Sequence, residues 1–224
     1  MRIVGPALAT LVAAAGMAAA APPAGGRVVG AVKVTEYDGS EADAVDVIVY
    51  VVGFNEPPGT EVTTVAQKGR KFVPDLVAIT ANERVTFPNF DPFLHNVFSQ
   101  SSARKFDLGS YARGEHKDKQ FPLTGVVDVY CNIHPEMAAT ILVLPNRRHV
   151  RTDLKGNFVL DGVPPGEWTV FAYTRRATKP ASTKVSVKVN TESTVELALV
   201  RGAEPAHLNK YGEKYHDNTK QVYP

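Results

Sequence analysis

The chain holds one cysteine among 224 residues, one tryptophan and three methionines. A single thiol excludes any internal disulfide, so a disulfide-stapled framework is ruled out. Charge is close to balanced, with 25 Lys and Arg against 23 Asp and Glu and a formal net charge of +2. That leaves no basic excess of the kind that binds nucleic acid. Past the first twenty residues, no apolar run approaches the ~20 residues that cross a bilayer as a helix. No stretch carries the helical period. No Ser-His-Asp set, glycine-rich phosphate loop or pair of carboxylates in a recognisable frame is present, and these absences point away from an enzyme.

What is present begins with Arg2 and an alanine-rich apolar run ending in "AGMAAAAPP". A charged start, an apolar stretch and small residues at a cleavage point describe a signal peptide over residues 1–20, hence export to the periplasm. The alternative is a membrane anchor, but the run is short and its later half is alanine and glycine rather than leucine. Export sharpens the meaning of Cys131. A free thiol in an oxidising compartment is a liability, so it is either buried and inert or held by something that binds it.

The remaining apolar runs are short, β-branched and bounded by Gly, Pro, Asn or Asp. They include "RVVGAVKV" (27–34), "VDVIVYVV" (45–52), "ERVTF" (83–87), "GVVDVYC" (125–131), "ATILVL" (139–144) and "EWTVFAY" (167–173). In "KVSVKV" and "STVELAL" the apolar residues alternate, placing Val185, Val187 and Val189 on one face and Val195, Leu197 and Leu199 on another. Period-two patterning in many short runs predicts an all-β chain built of β-sandwiches. The segment 201–224 is polar, with His207, Tyr211, Tyr215, His216 and Tyr223, and is expected to be poorly ordered or draped over the surface.

The chemistry concentrates in "VDVYCNIHPEM", residues 127–137. On a strand, Val127, Val129 and Cys131 point inward together. A turn then brings His134 and Met137 close to Cys131. Thiolate, imidazole and thioether are the donors that select copper, and the missing donor is a second imidazole. His95 in "FPNFDPFLHNVFS" is the candidate, expected on a neighbouring strand with Val97 and Ser99 on its face. Two histidines, a cysteine and a long axial methionine make the blue-copper set. The alternatives are an inert structural thiol, an ordinary core histidine at position 95, or Met137 as core filler. Zinc is disfavoured, because a structural zinc site would want more than one cysteine and rarely takes methionine.

At "TFPNFDPFLHNVFS" and "GVVDVYCNIHPEMAATILVL" the sequence resembles the cupredoxin family, and the short ligand loop with proline after its histidine looks most like that of the amicyanins. The resemblance covers roughly residues 60–145. It implies two Greek-key β-sandwich domains once the rest of the chain is added, one of them a cupredoxin. It implies one type 1 copper ion cycling between Cu(I) and Cu(II), with His95, Cys131, His134 and Met137 as ligands. It further implies that Asn96 tethers the two ligand loops, while Pro135, by fixing its own φ and lacking an N–H, is expected to stiffen the second one. The expected activity is soluble electron transfer, with no catalysis, between redox proteins such as a periplasmic dehydrogenase and a c-type cytochrome. A copper-binding or copper-delivery module without redox turnover is the alternative.

A cupredoxin occupies only residues 56–146 of this reading. "TDLKGNFVLDGVPPGEWTVFAY" (152–173) resembles the transthyretin-like, carboxypeptidase-regulatory-like sandwich, whose opening pattern matches residues 26–53. The two pieces, 26–55 and 147–200, either form one sandwich split by the copper domain or belong to consecutive domains. The whole chain also resembles bacterial exported proteins labelled for methylamine utilisation. "RGEHKDKQ" with His116 reads as a solvated hairpin, and "RRH" (147–149) as a basic linker where domains meet.

Overall fold

The computed structural model describes residues 25–203 and 206–215. The expected signal peptide, His216 and Tyr223 lie outside the described residues. Within them there is no α-helix, and the chain is all-β, as the β-branched runs dictate. No helix of these residues is long and apolar enough to cross a membrane.

Two sheets, built from strands near both ends of the described chain, face each other. In the first, Gly26–Glu36 lies between Asn157–Val163, antiparallel, and Glu192–Arg201, parallel. In the second, Ile48–Val52 lies between His149–Arg151 and Gly166–Tyr173, with Ala181–Val187 at the far edge. Val28, Val32, Val49, Val51, Leu160, Val170 and Leu197 interleave between them. Residues before position 55 and after position 146 thus share one core. Val185 and Val187 join it, but Val189 does not. It is 45% exposed, because the strand ends at Val187 and the chain turns at Asn190, whose φ is +56°.

The intervening segment builds a second pair of sheets. Phe106–Tyr111, His95–Ser99, Gly125–Tyr130, Ala138–Leu144 and Leu76–Thr80 form five strands in that spatial order. His116–Gln120, Arg84–Pro88 and Thr63–Thr64 form three. Between them lie Ile79, Val85, Phe87, Val97, Phe121, Val127, Val129 and Ile141. At ~1.5–3 kcal/mol for each fully buried large apolar side chain, this burial is the main force holding the strands together.

A third cluster joins the two cores. Ile48 on one side meets Leu76, Leu142 and Leu144 on the other, with Tyr50 and Tyr173 packed against them. Alternation explains how both faces of a strand come to be buried. Val49 and Val51 face their own core, while Ile48 and Tyr50 face the joint; Ile141 and Val143 face theirs, while Leu142 and Leu144 face the joint.

In "RRH", Arg147 and Arg148 lie in the short connection from Ala138–Leu144 to His149–Arg151, between the two pairs of sheets. Arg148 pairs with Glu56 at 2.7 Å, and His149 opens a strand paired with Tyr50. Burial lowers the His149 pKa below its ordinary value. Buried Asn146 fixes the crossing point, donating from Nδ2 to the carbonyls of Val51 and Phe54 at 3.0 Å each. Its Oδ1 accepts from the Arg148 N–H at 3.0 Å.

Candidate metal centre

The strand Gly125–Tyr130 carries Cys131 to one end of the five-stranded sheet, where Tyr130 sits opposite Phe98. His95, the first residue of the neighbouring strand, therefore arrives at the same end. His134 comes from the turn after Cys131. The result is a cluster of three donors within 4.8 Å of one another. His95 Nδ1 lies 3.1 Å from His134 Nδ1, and Cys131 Sγ lies 3.9 Å from His95 Nδ1 and 3.8 Å from His134 Nδ1.

These distances fit a first-row metal ion. Bonds of about 2.0 Å to nitrogen and 2.3 Å to sulfur, in a three-cornered arrangement, require N···N near 3.1–3.5 Å and S···N near 3.8 Å. The donor set is one thiolate and two imidazoles, the types that suit copper. His95 and Cys131 are fully buried, and His134 is half-buried. Met137 is also fully buried, beside the cluster in sequence and in the same core. Its N–H donates to the His134 carbonyl at 3.1 Å, and its carbonyl accepts from the Cys131 N–H at 3.2 Å. The turn is thereby closed on itself.

Each donor has its orienting partner. His95 Nε2 meets Asp91 Oδ2 at 2.8 Å. A carboxylate there assigns the proton to Nε2 and turns the Nδ1 lone pair toward His134 and Cys131. Asp91 is itself held by the N–H groups of Gly69 at 2.7 Å and Arg70 at 2.9 Å. Burial works to raise its pKa, but the Arg70 N–H, the His95 ring and the Gly69 N–H outweigh burial and keep it below the ordinary carboxylate value. Burial pushes the Cys131 thiol up, opposed in part by the N–H groups of Asn96, Ile133 and His134. For a thiol that is to be a ligand, metal binding must displace that proton. Burial, then the neighbouring His95, lower the pKa of His134 and favour its neutral, ligating form.

Asn96 bridges the two ligand-bearing segments. Its Oδ1 accepts from the Asn132 N–H at 3.3 Å, and its Nδ2 donates to Asp107 at 2.7 Å. Pro135 is exposed, at the outer edge of the turn. Beside the half-buried His134 lies Phe93, whose ring centroid is 5.5 Å away; Ile133, next to it in the turn, is exposed, as are Phe90 and Leu94 in the segment before His95.

All five residues of His95–Ser99 are buried, so both faces of this strand are covered. Val97 faces the core, and Asn96 and Phe98 lie on the other face, which residues 206–215 cover. His116 is exposed on an edge strand, and His207 stacks on Tyr130 with centroids 3.9 Å apart. Neither belongs to the donor cluster. A cleft of about 770 Å³ is lined by Lys71, Asp75, Glu136, Arg175 and Tyr215 among others, and none of the three clustered donors lines it.

Sequence reasoning passed over Asp91 and the contacts of Lys210 and Tyr215. An acidic residue one helical-turn's length before a ligand histidine was a usable signal for Asp91. Nothing in the polar tail marked the other two.

The chain matches no family model, and no curated protein matches it. Among solved structures, 36% of this chain overlays 98% of a purple cupredoxin from Nitrosopumilus maritimus, at 22% identity and a TM-score of 0.33. A reduced amicyanin variant is overlaid over 97% of its length by 42% of this chain, at 17% identity and a TM-score of 0.35. A copper-containing nitrite reductase from Thermus scotoductus is overlaid over 25% of its length by 42% of this chain, at 24% identity and a TM-score of 0.36. The structural neighbours of this all-β chain are thus cupredoxins and a copper enzyme.

Proposed function

We propose that this chain is an exported, mononuclear type 1 copper protein that carries electrons between redox partners in the periplasm. The observation that carries the reading is the buried thiol set 3.8–3.9 Å from two imidazole nitrogens that are themselves 3.1 Å apart. His95, Cys131 and His134 would hold the ion, with the thioether of buried Met137 as a further donor. A bound copper ion would supply one-electron exchange between Cu(I) and Cu(II).

The chain's own residues supply the rest. Asp91 fixes the His95 ring, and Asn96 ties the His95 strand to the turn that carries His134. Full burial of His95, Cys131 and Met137 keeps water and exogenous ligands from the donors, so no position is left for a substrate, unlike an open catalytic site. His134 is the one donor that approaches the surface, and it does so among Phe93, Leu94, Ile133 and Pro135. Such an apolar rim suits brief contact with a redox protein, such as a dehydrogenase or a c-type cytochrome. In this reading residues 56–146 are the copper domain. It is inserted into a second sandwich made of 26–55 and 147–200, which serves stability or docking.

Voltammetry of the copper-loaded protein, run beside transfer of copper to a chelator, tests the role. A carrier gives a reversible one-electron wave and keeps its copper. Rapid release without a reversible wave would replace electron transfer with copper delivery.

A further inference from the structure

Residues 206–215 lie on the outer face of the five-stranded sheet, and their polar contacts converge on the segment that carries Cys131. The Tyr215 hydroxyl donates to the Cys131 carbonyl at 2.8 Å. The Lys210 N–H donates to Asn132 Oδ1 at 3.0 Å. Lys210 Nζ reaches Asp107 at 2.8 Å, and Asp107 in turn accepts from Asn96 at 2.7 Å. The Lys210 carbonyl accepts from Gln100 Nε2 at 2.9 Å. His207 lies flat on Tyr130, 3.9 Å between centroids and 12° between planes, and Tyr215 meets the His207 ring edge-on at 5.4 Å.

The selection of targets is the informative part. Tyr130, Cys131 and Asn132 are consecutive, and each is engaged by a different residue of the 206–215 segment. Asn96 and Asp107, the residues that couple the His95 strand to that turn, are reached through the Lys210 ammonium. A polar tail that only covered apolar surface would scatter its hydrogen bonds over the sheet. The segment also turns tightly on itself, with Asn209 Oδ1 accepting from the N–H groups of Tyr211 at 2.9 Å and Glu213 at 3.0 Å. That turn holds Lys210 and Tyr215 in place together.

We infer that residues 206–215 form a strap in which Lys210 and Tyr215 act as positioning residues, clamping Cys131 and Asn132 in the geometry that receives the metal. The strap rests on the copper reading for its consequence, but not for its existence. It meets the ligand-bearing turn from the outer face of the sheet, where His207 and Tyr215 share a cleft with Pro135 and Glu136. Fixing the backbone on either side of the thiol limits how far Sγ can move relative to the two imidazoles. Outer contacts of this kind typically change metal affinity by ~10–100-fold when lost.

The test uses the full chain, Lys210→Arg as a conservative control, and three disruptive variants: Tyr215→Phe, which removes one hydroxyl and keeps the ring; Lys210→Ala; and the double variant. Amide hydrogen exchange in the metal-free protein reads the strap directly. Faster exchange at residues 130–134 in Tyr215→Phe and in the double variant, with the sheet amides of Val127 and Val129 unchanged, is expected. Copper(I) affinity, read by competition with a chromophoric chelator, should fall by about 10-fold in the double variant, and Lys210→Arg should restore most of the Lys210 share. Unchanged exchange at 130–134 in all three variants would overturn the strap. Faster exchange with unchanged copper affinity would overturn its positioning role. A parent chain that takes up no copper, while exchange still responds to Tyr215→Phe, would overturn the metal reading alone.

Discussion

Asp91→Asn is the most informative single perturbation of the site's frame. The carboxylate accepts three hydrogen bonds, from the Gly69 N–H on one oxygen and from the Arg70 N–H and His95 Nε2 on the other. An amide keeps the shape but has a single oxygen. In its better orientation it retains Arg70 and His95 and turns an NH₂ group against the Gly69 N–H, donor against donor. One charge-assisted bond, worth about 1.5–3 kcal/mol, is lost, and two others drop toward the ~1 kcal/mol of neutral bonds. Relief of the burial cost of a charge offsets part of this, so the metal-free protein should lose about 2–4 kcal/mol. His95 also loses the partner that fixes its tautomer, and copper affinity should fall by ~10–100-fold, or about 1.4–2.7 kcal/mol. Urea unfolding followed by circular dichroism measures the first quantity, and chelator competition the second. A stability change within about 0.5 kcal/mol, the range of an ordinary surface substitution, together with unchanged affinity would refute the role assigned to Asp91.

Three further outcomes are expected. Asn146→Ala strands the carbonyls of Val51 and Phe54 and the N–H of Arg148, and should cost about 2–3 kcal/mol in a urea titration; a negligible shift would mean that water replaces the amide. Leu142→Ala, at the joint with Ile48 and Leu76, should cost about 2–5 kcal/mol and, if the joint couples the two cores, broaden or split the single unfolding transition. The Asp107 carboxyl is opposed by burial, but Lys210, the Gly109 N–H and Asn96 together hold its pKa below the ordinary value. The folded state therefore binds its proton less tightly than the unfolded chain. The stability it contributes is full above about pH 4 and is lost as pH falls through its lower folded value; a carboxyl NMR titration with a midpoint at or above the ordinary value would contradict this.

Much of the architecture was legible because local sequence and burial agree. Strict alternation in "STVELAL" marks a strand with one buried face, and Val195, Leu197 and Leu199 are buried as it requires. The spacing of Cys131, His134 and Met137 marked a ligand-type turn, and the structure brings Cys131 and His134 together with His95. Alternation alone does not tell that a strand has two covered faces. His95–Ser99 is covered on its outer face by a segment more than a hundred residues away, and nothing local to the strand encodes that. Val189 failed for the opposite reason: its pattern continues past the point where Asn190 turns the chain. The tail contacts were invisible because single hydrogen bonds from Lys210 and Tyr215 leave no periodic trace. The basic residues at 147 and 148 do lie in a connection, but the pairing of Arg148 with Glu56 was not legible, because Glu56 lies far upstream.

The most direct test of the account is the visible and EPR spectrum of the chain loaded with Cu(II), beside the same spectrum of Cys131→Ser. The account predicts an intense blue band from thiolate-to-copper charge transfer in the parent and its complete loss in the variant. A parent that binds copper without the band, or a Cys131→Ser protein that keeps it, would contradict the assignment of Cys131, His95 and His134 as the copper site.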